Sequence, residues 1–207
     1  RTICIMRINI KADTKEINKS LSSFQKKQIP FATSKAINKT AFQTRRQLQK
    51  DMDNTFRKGA TGFTKKGVFV KPSHKTNLVA NVYILKEQAK YLEKQVFGGI
   101  RRESFAIPIP YRNRVGLTNQ GNLTKAKFKS LVNNKNNKIL DINGVKGLYE
   151  IKKNTKPKLL VALNRRSVSY NNPKFKFFAL GRRAVNKFFI KNYERELNAA
   201  IRSAKKK

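Results

Sequence analysis

The charge balance constrains this chain more than any motif in it. Its 48 lysines and arginines face 11 aspartates and glutamates, a formal net charge of +37 over 207 residues. So much like charge repels itself in a compact state and draws a protein towards polyanions or acidic partner surfaces. Folding then requires enough apolar side chain to offset the repulsion. With 14 phenylalanines, 6 tyrosines and 39% hydrophobic residues, the chain carries far more than a disordered basic tail would. The sequence reads as a folded domain with a cationic exterior, whose partners are nucleic acid or the inside of a large assembly.

A chain of this length suffices for one sizeable core or two small ones. No run of about 18 apolar residues offers a membrane span, and no charged–apolar–small signal pattern opens the chain. The single cysteine, Cys4, makes no internal disulfide, and no Cys/His cluster points to structural zinc. The stretch MRINIKADT reads as a natural start at Met6, with residues 1–5 an addition upstream of it.

Met6, Ile8 and Ile10 alternate with Arg7, Asn9 and Lys11, the period of a half-buried strand. Asp13 with Glu16 resembles a capping box, and Ile17, Leu21 and Phe24 then mark a short helix to about Gln28. Pro30 suits the first turn of a second helix reaching about Phe56. Its predicted buried face is Ala32, Ala36, Ile37, Thr40, Ala41, Thr44, Leu48 and Met52, small enough for another helix to approach closely. A basic glycine-rich loop follows, then two strands, GVFV and NLVANVYIL, paired around the turn KPSHKT. KEQAKYLEKQVF reads as a helix ended by Gly98 and Gly99. Pro108 and Pro110 make FAIPIPYRNRV an extended edge segment. Residues 116–144, rich in Asn, Lys and Gly, read as a long basic loop or arm. KGLYEIK and PKLLVALN form a hairpin, and a helix from about Phe178 to Ala204 closes the chain. The expectation is a single α+β domain over residues 1–207. In it, a small mixed or antiparallel sheet packs with two long helices, one N-terminal and one C-terminal, and extended basic loops.

Catalytic devices are hard to build from these residues. His74 is the only histidine and lies in a lysine-flanked turn, where a solvated side chain is the ordinary reading. Asp51 with Asp53, and Glu194 with Glu196, sit two apart on helices and so point to different sides. A magnesium nuclease would need converging carboxylates, with Asp51, Asp53 or Glu103 as its candidates. No P-loop or dinucleotide fingerprint occurs. The chain reads as a non-enzyme without cofactor or metal.

Among the cations, Lys65, Lys66, Arg101, Arg102, Arg112 and Arg114 are the candidates for contact with a polyanion or partner. Each lies near glycines or prolines that expose backbone, and none belongs to an apolar helical face. Arg182 and Arg183 are weaker candidates at a helix start. Lysine occurs on nearly every segment, whereas sequence-specific readers concentrate charge in one groove-facing element. The diffuse charge favours packing near nucleic acid or acidic protein walls over base reading.

Four segments, in order, resemble phage minor tail protein Z-like (tail-completion) proteins. They are SSFQKKQIPFATSKAINKTAFQTRRQL, AKYLEKQVFGGIRR, the proline segment IPIP with LTNQGNLTKAKFKSL, and FFALGRRAVNKFFIKNYERELNAAIRSA. Together they cover most of residues 6–205, and none is catalytic. The Asn/Lys-rich stretch around 130–145 departs from the family pattern. The resemblance implies a virion protein of the tail or neck, made in the host cytoplasm and assembling as a homo-oligomeric ring. Its implied partners are tail-tube, terminator or connector proteins, with non-specific contact to DNA. An RNA-binding structural protein, such as a ribosomal protein, is the alternative the charge allows.

Overall fold

The computed structural model describes residues 6–12, 23–101, 105–109, 116–164 and 167–205. The architecture is α+β, with a long N-terminal and a long C-terminal helix packed together and small antiparallel sheets. The described residues group into two compact units. One takes the chain up to Phe56, Ala60–Phe97 and the segment from Pro173; the other takes Arg57–Gly59 and Gly98–Asn172.

The first unit is built on helix α1, Ser23–Thr55. Its buried face holds Ala32, Ala36, Ile37, Thr40, Ala41, Thr44, Leu48 and Met52, the face the spacing predicts. Its N-terminal end differs from expectation, because α1 runs unbroken through Pro30 and no second helix begins there. An internal proline removes one backbone bond and costs about 3 kcal/mol. Burial of Ile29 and Ala32 on either side of it offsets that cost. The capping pattern at Asp13 and Glu16 lies outside the described residues.

A three-stranded antiparallel sheet packs on α1 in the order β1 (Arg7–Lys11), β3 (Val79–Ile84), β2 (Val68–Lys71). The short helix α2, Gly62–Lys66, leads into β2. Alternation puts Ile10, Val68, Val70, Ala80, Val82 and Ile84 into the core. A His74–Asn77 bridge closes the turn between β2 and β3. Buried Ser73 latches that turn to α1: its N–H donates to Asn38 Oδ1 at 2.7 Å, and Asn38 Nδ2 donates to its carbonyl at 3.0 Å. Helix α3, Lys86–Phe97, buries Leu92 and ends at Gly98 and Gly99, both at positive φ.

The unit's last element is the closing helix α5, Phe177–Lys205, which follows helix α4, Lys125–Val132, of the second unit in the chain. At its start Phe56, Phe175, Phe177 and Phe178 form a string of rings with centroids 5.3–6.0 Å apart. The helix runs antiparallel to α1, since Lys39 meets Glu196 whereas Gln43 meets Asn192.

The second unit contains a two-stranded ribbon, β4 (Gly99–Arg101) with β9 (Val168–Tyr170), and a four-stranded antiparallel sheet. That sheet has the order β5 (Phe105–Pro108), β8 (Lys158–Asn164), β7 (Val145–Glu150), β6 (Asn137–Ile142). The proline strand β5 is an edge, as Pro108 requires. Helix α4, Lys125–Val132, starts at Thr124, whose hydroxyl accepts from Lys127 N at 3.2 Å. Leu131 on this helix joins Leu148, Leu160 and Val161 in a second core.

Residues 116–144 therefore differ from the loop or arm expected of them, since they hold α4 and β6. The β6–β7 turn is Asn143–Gly144, with φ of 52° and 73°. Two successive positive φ values match the right-handed twist of the strands they join.

Candidate polyanion-contact surfaces

The structure separates the predicted contact residues. Lys65 and Lys66 close α2 in the first unit, while Arg101 ends β4 in the second. Arg102, Arg112 and Arg114 lie outside the described residues. Thr61 caps α2 by accepting from Thr64 N at 3.2 Å, and Gln49 Nε2 donates to the Lys65 carbonyl at 2.8 Å. These bonds fix the backbone from which both lysines project. Lys65 is already engaged: its ammonium donates to Asp53 Oδ2 at 2.6 Å. That bond, helped by the Ala60 N–H at 3.1 Å, holds the Asp53 carboxyl below the usual aspartate range. Lys66 is exposed, and Arg101 is half-buried opposite Val168. Arg182 and Arg183 stand exposed near the start of α5.

A second basic surface follows the seam between α1 and α5. Lys35, Lys39 and Arg46 project from α1, with Phe42 among them, and Arg195 joins them from α5. The floor is polar and tied together. Asn192, buried, donates to Thr40 Oγ1 at 3.0 Å and to Gln43 Oε1 at 2.6 Å. Beside it Glu196, 8% exposed, accepts a hydrogen bond from Lys39, with Arg195 Nε 3.7 Å away. The Lys39 bond outweighs the cost of burial and holds the Glu196 carboxyl below the usual glutamate range.

Reading the sequence for cations beside glycine and proline missed this surface. A usable signal was present, because no carboxylate occurs between Glu16 and Asp51. Lys35, Lys39 and Arg46 also share the helical face that carries Phe42, since residues three and four apart lie together.

The described histidine and carboxylates do not converge. Among the described residues no three of His, Cys, Asp and Glu are placed to hold a metal ion. His74 is exposed in its turn. Asp51 accepts from Gln47 Nε2 at 2.9 Å, whereas Asp53 turns to Ala60 and Lys65. Glu194 is exposed and Glu196 is buried against α1, so this pair also diverges. Glu103 lies outside the described residues. The chemistry available on these surfaces is anion binding by ammonium and guanidinium groups. No described helix is long and apolar enough to cross a membrane. No family model, no curated protein and no solved structure matches the chain.

Proposed function

We propose that this chain is a structural protein of a bacteriophage tail or neck, serving tail completion or head–tail joining through oligomeric assembly near the DNA channel. The observation that carries the reading is the order of the four family-like segments along residues 6–205. The first and last of them overlap the antiparallel pair α1 and α5. Rod-like helices of this length, about 50 Å and about 44 Å at 1.5 Å per residue, suit subunit packing. The diverging carboxylates favour a role without catalysis.

Assembly also accounts for the charge. A ring of subunits, each carrying a formal +37, would face acidic neighbours or the phosphates of DNA. Binding to DNA would fall steeply with salt as counterions are exchanged. The partners of such a ring are tail-tube, terminator or connector proteins, and the finished location is the virion. Negative-stain microscopy of virions with antibody against the chain tests this, with label expected at the neck or tail. Label absent from both would overturn it. The same surface charge favours an RNA-binding structural protein as the second reading, and co-purification with ribosomal particles in place of phage particles would select that one.

A further inference from the structure

The seam between α1 and α5 opens into a groove enclosing about 610 Å³. Four cations line it against one carboxylate, an excess of three positive charges. Glu196, buried at the floor, is taken up by Lys39, which leaves Lys35, Arg46 and Arg195 as that excess. Phe42 is the one apolar side chain in the lining, and it is 42% exposed between Lys39 and Arg46. One turn before Lys35, Phe31 is 48% exposed, with the Lys35 ammonium 4.6 Å from its ring centroid. That contact keeps Lys35 at the groove's end. The amides of Asn38 and Gln43 complete the walls.

This lining narrows the class of ligand. An acidic amphipathic helix needs a row of apolar anchors seated at three- and four-residue spacing. A groove with a single aromatic provides no such row. Duplex DNA offers phosphates to the cations, but its bases are stacked on one another and present no open face to Phe42. An unpaired base does, and cationic grooves with flat aromatic platforms are the recurring means of holding single strands. We propose that the α1–α5 groove binds single-stranded nucleic acid, with a base stacked on Phe42 and flanking phosphates held by Lys35, Arg46 and Arg195.

The test is fluorescence anisotropy of the purified full chain with a labelled oligothymidylate of about twenty nucleotides and with a duplex of equal length. It is run at about 0.2 M salt, to suppress loose attraction to the cationic surface. Phe42→Ala is expected to weaken strand binding roughly five- to a hundredfold, the range of one lost base–aromatic stack. Duplex binding should stay within about twofold, and Phe42→Tyr should restore the strand. Lys35→Glu with Arg46→Glu should weaken both ligands and flatten the salt dependence. Lys152→Glu with Lys153→Glu, exposed in the second unit, should leave strand affinity within about twofold. Circular dichroism confirms that each variant is folded.

The proposal is overturned if Phe42→Ala leaves strand binding unchanged, if it lowers strand and duplex alike, or if the Lys152/Lys153 variant loses as much as the groove variant. Displacement of the strand by polyglutamate as effectively as by unlabelled strand would also overturn it, since charge alone would then explain binding. The inference does not rest on the virion reading. Unlabelled tails leave the strand measurement standing, and an inert Phe42→Ala leaves the microscopy standing.

Discussion

At the scale of single residues, close packing separates substitutions that look alike. A Cβ on Gly147 would lie 2.4 Å from Leu159 Cδ1 and 2.7 Å from the Val161 carbonyl oxygen. The oxygen belongs to the neighbouring strand and cannot move without loosening the β7–β8 pairing. On Gly181 the obstruction is the Ile8 Cδ1 methyl at 2.0 Å, the far end of a side chain that can turn away. Alanine there also gains about 1 kcal/mol of helix propensity. Gly147→Ala should therefore destabilise by about 1–3 kcal/mol, while Gly181→Ala stays within about 1 kcal/mol, both read by urea denaturation. Glu196 gives a pH signature. Its folded pKa is lowered, so the stability it contributes is present above the ordinary glutamate value and disappears as pH falls through the folded one. Glu196→Gln should cost about 1–2 kcal/mol at neutral pH. The wild-type advantage should shrink as pH falls below the ordinary glutamate range. An advantage that persists undiminished in acid would show that the carboxylate's charge is not what matters.

Among the elements, the β2–β3 turn is attached to α1 by polar bonds in a buried place. Asn38 both donates to and accepts from Ser73, whose hydroxyl also meets Ser34 Oγ at 3.0 Å. Removing one partner leaves the others buried without their bonds, which costs more than the bond itself contributes. Asn38→Ala should lower stability by about 2–3 kcal/mol and speed amide exchange at Ser73 first, measured by hydrogen exchange. Exchange that quickened evenly through the first unit would place the role of Asn38 elsewhere. Helix α1 itself shows how context overrides a local rule. Proline belongs in a first turn, yet Pro30 sits inside the helix, where burial of nearby Ile29 and Ala32 offsets the lost backbone bond.

For the whole molecule, self-repulsion is the dominant weakness. Added salt screens exposed charges, so the melting temperature should rise between about 20 and about 500 mM sodium chloride. A melting temperature indifferent to salt would mean that the surface charges are spaced widely enough to ignore one another. Element types and buried faces were legible in the sequence because they follow from local period. Ala36, Ile37, Leu48 and Met52 on α1, and the alternating strands of the first sheet, needed no partner to be identified. The β6–β7 hairpin was not read, although Asn143–Gly144 is a strong turn signal. Its strand NKILDI is half-exposed at a sheet edge and blurs the alternation. Of the expected contact residues, Lys65 proved to be paired with Asp53, a partner on another element. The groove depended on pairing across still greater distance, since Lys39 and Glu196 stand 157 residues apart. Composition and periodicity determined that this chain folds as α+β beneath a cationic exterior. Only tertiary packing decided which charges are neutralised and which line an open groove, because ion pairing depends on separation in space and residues far apart in the chain have none until the fold sets it.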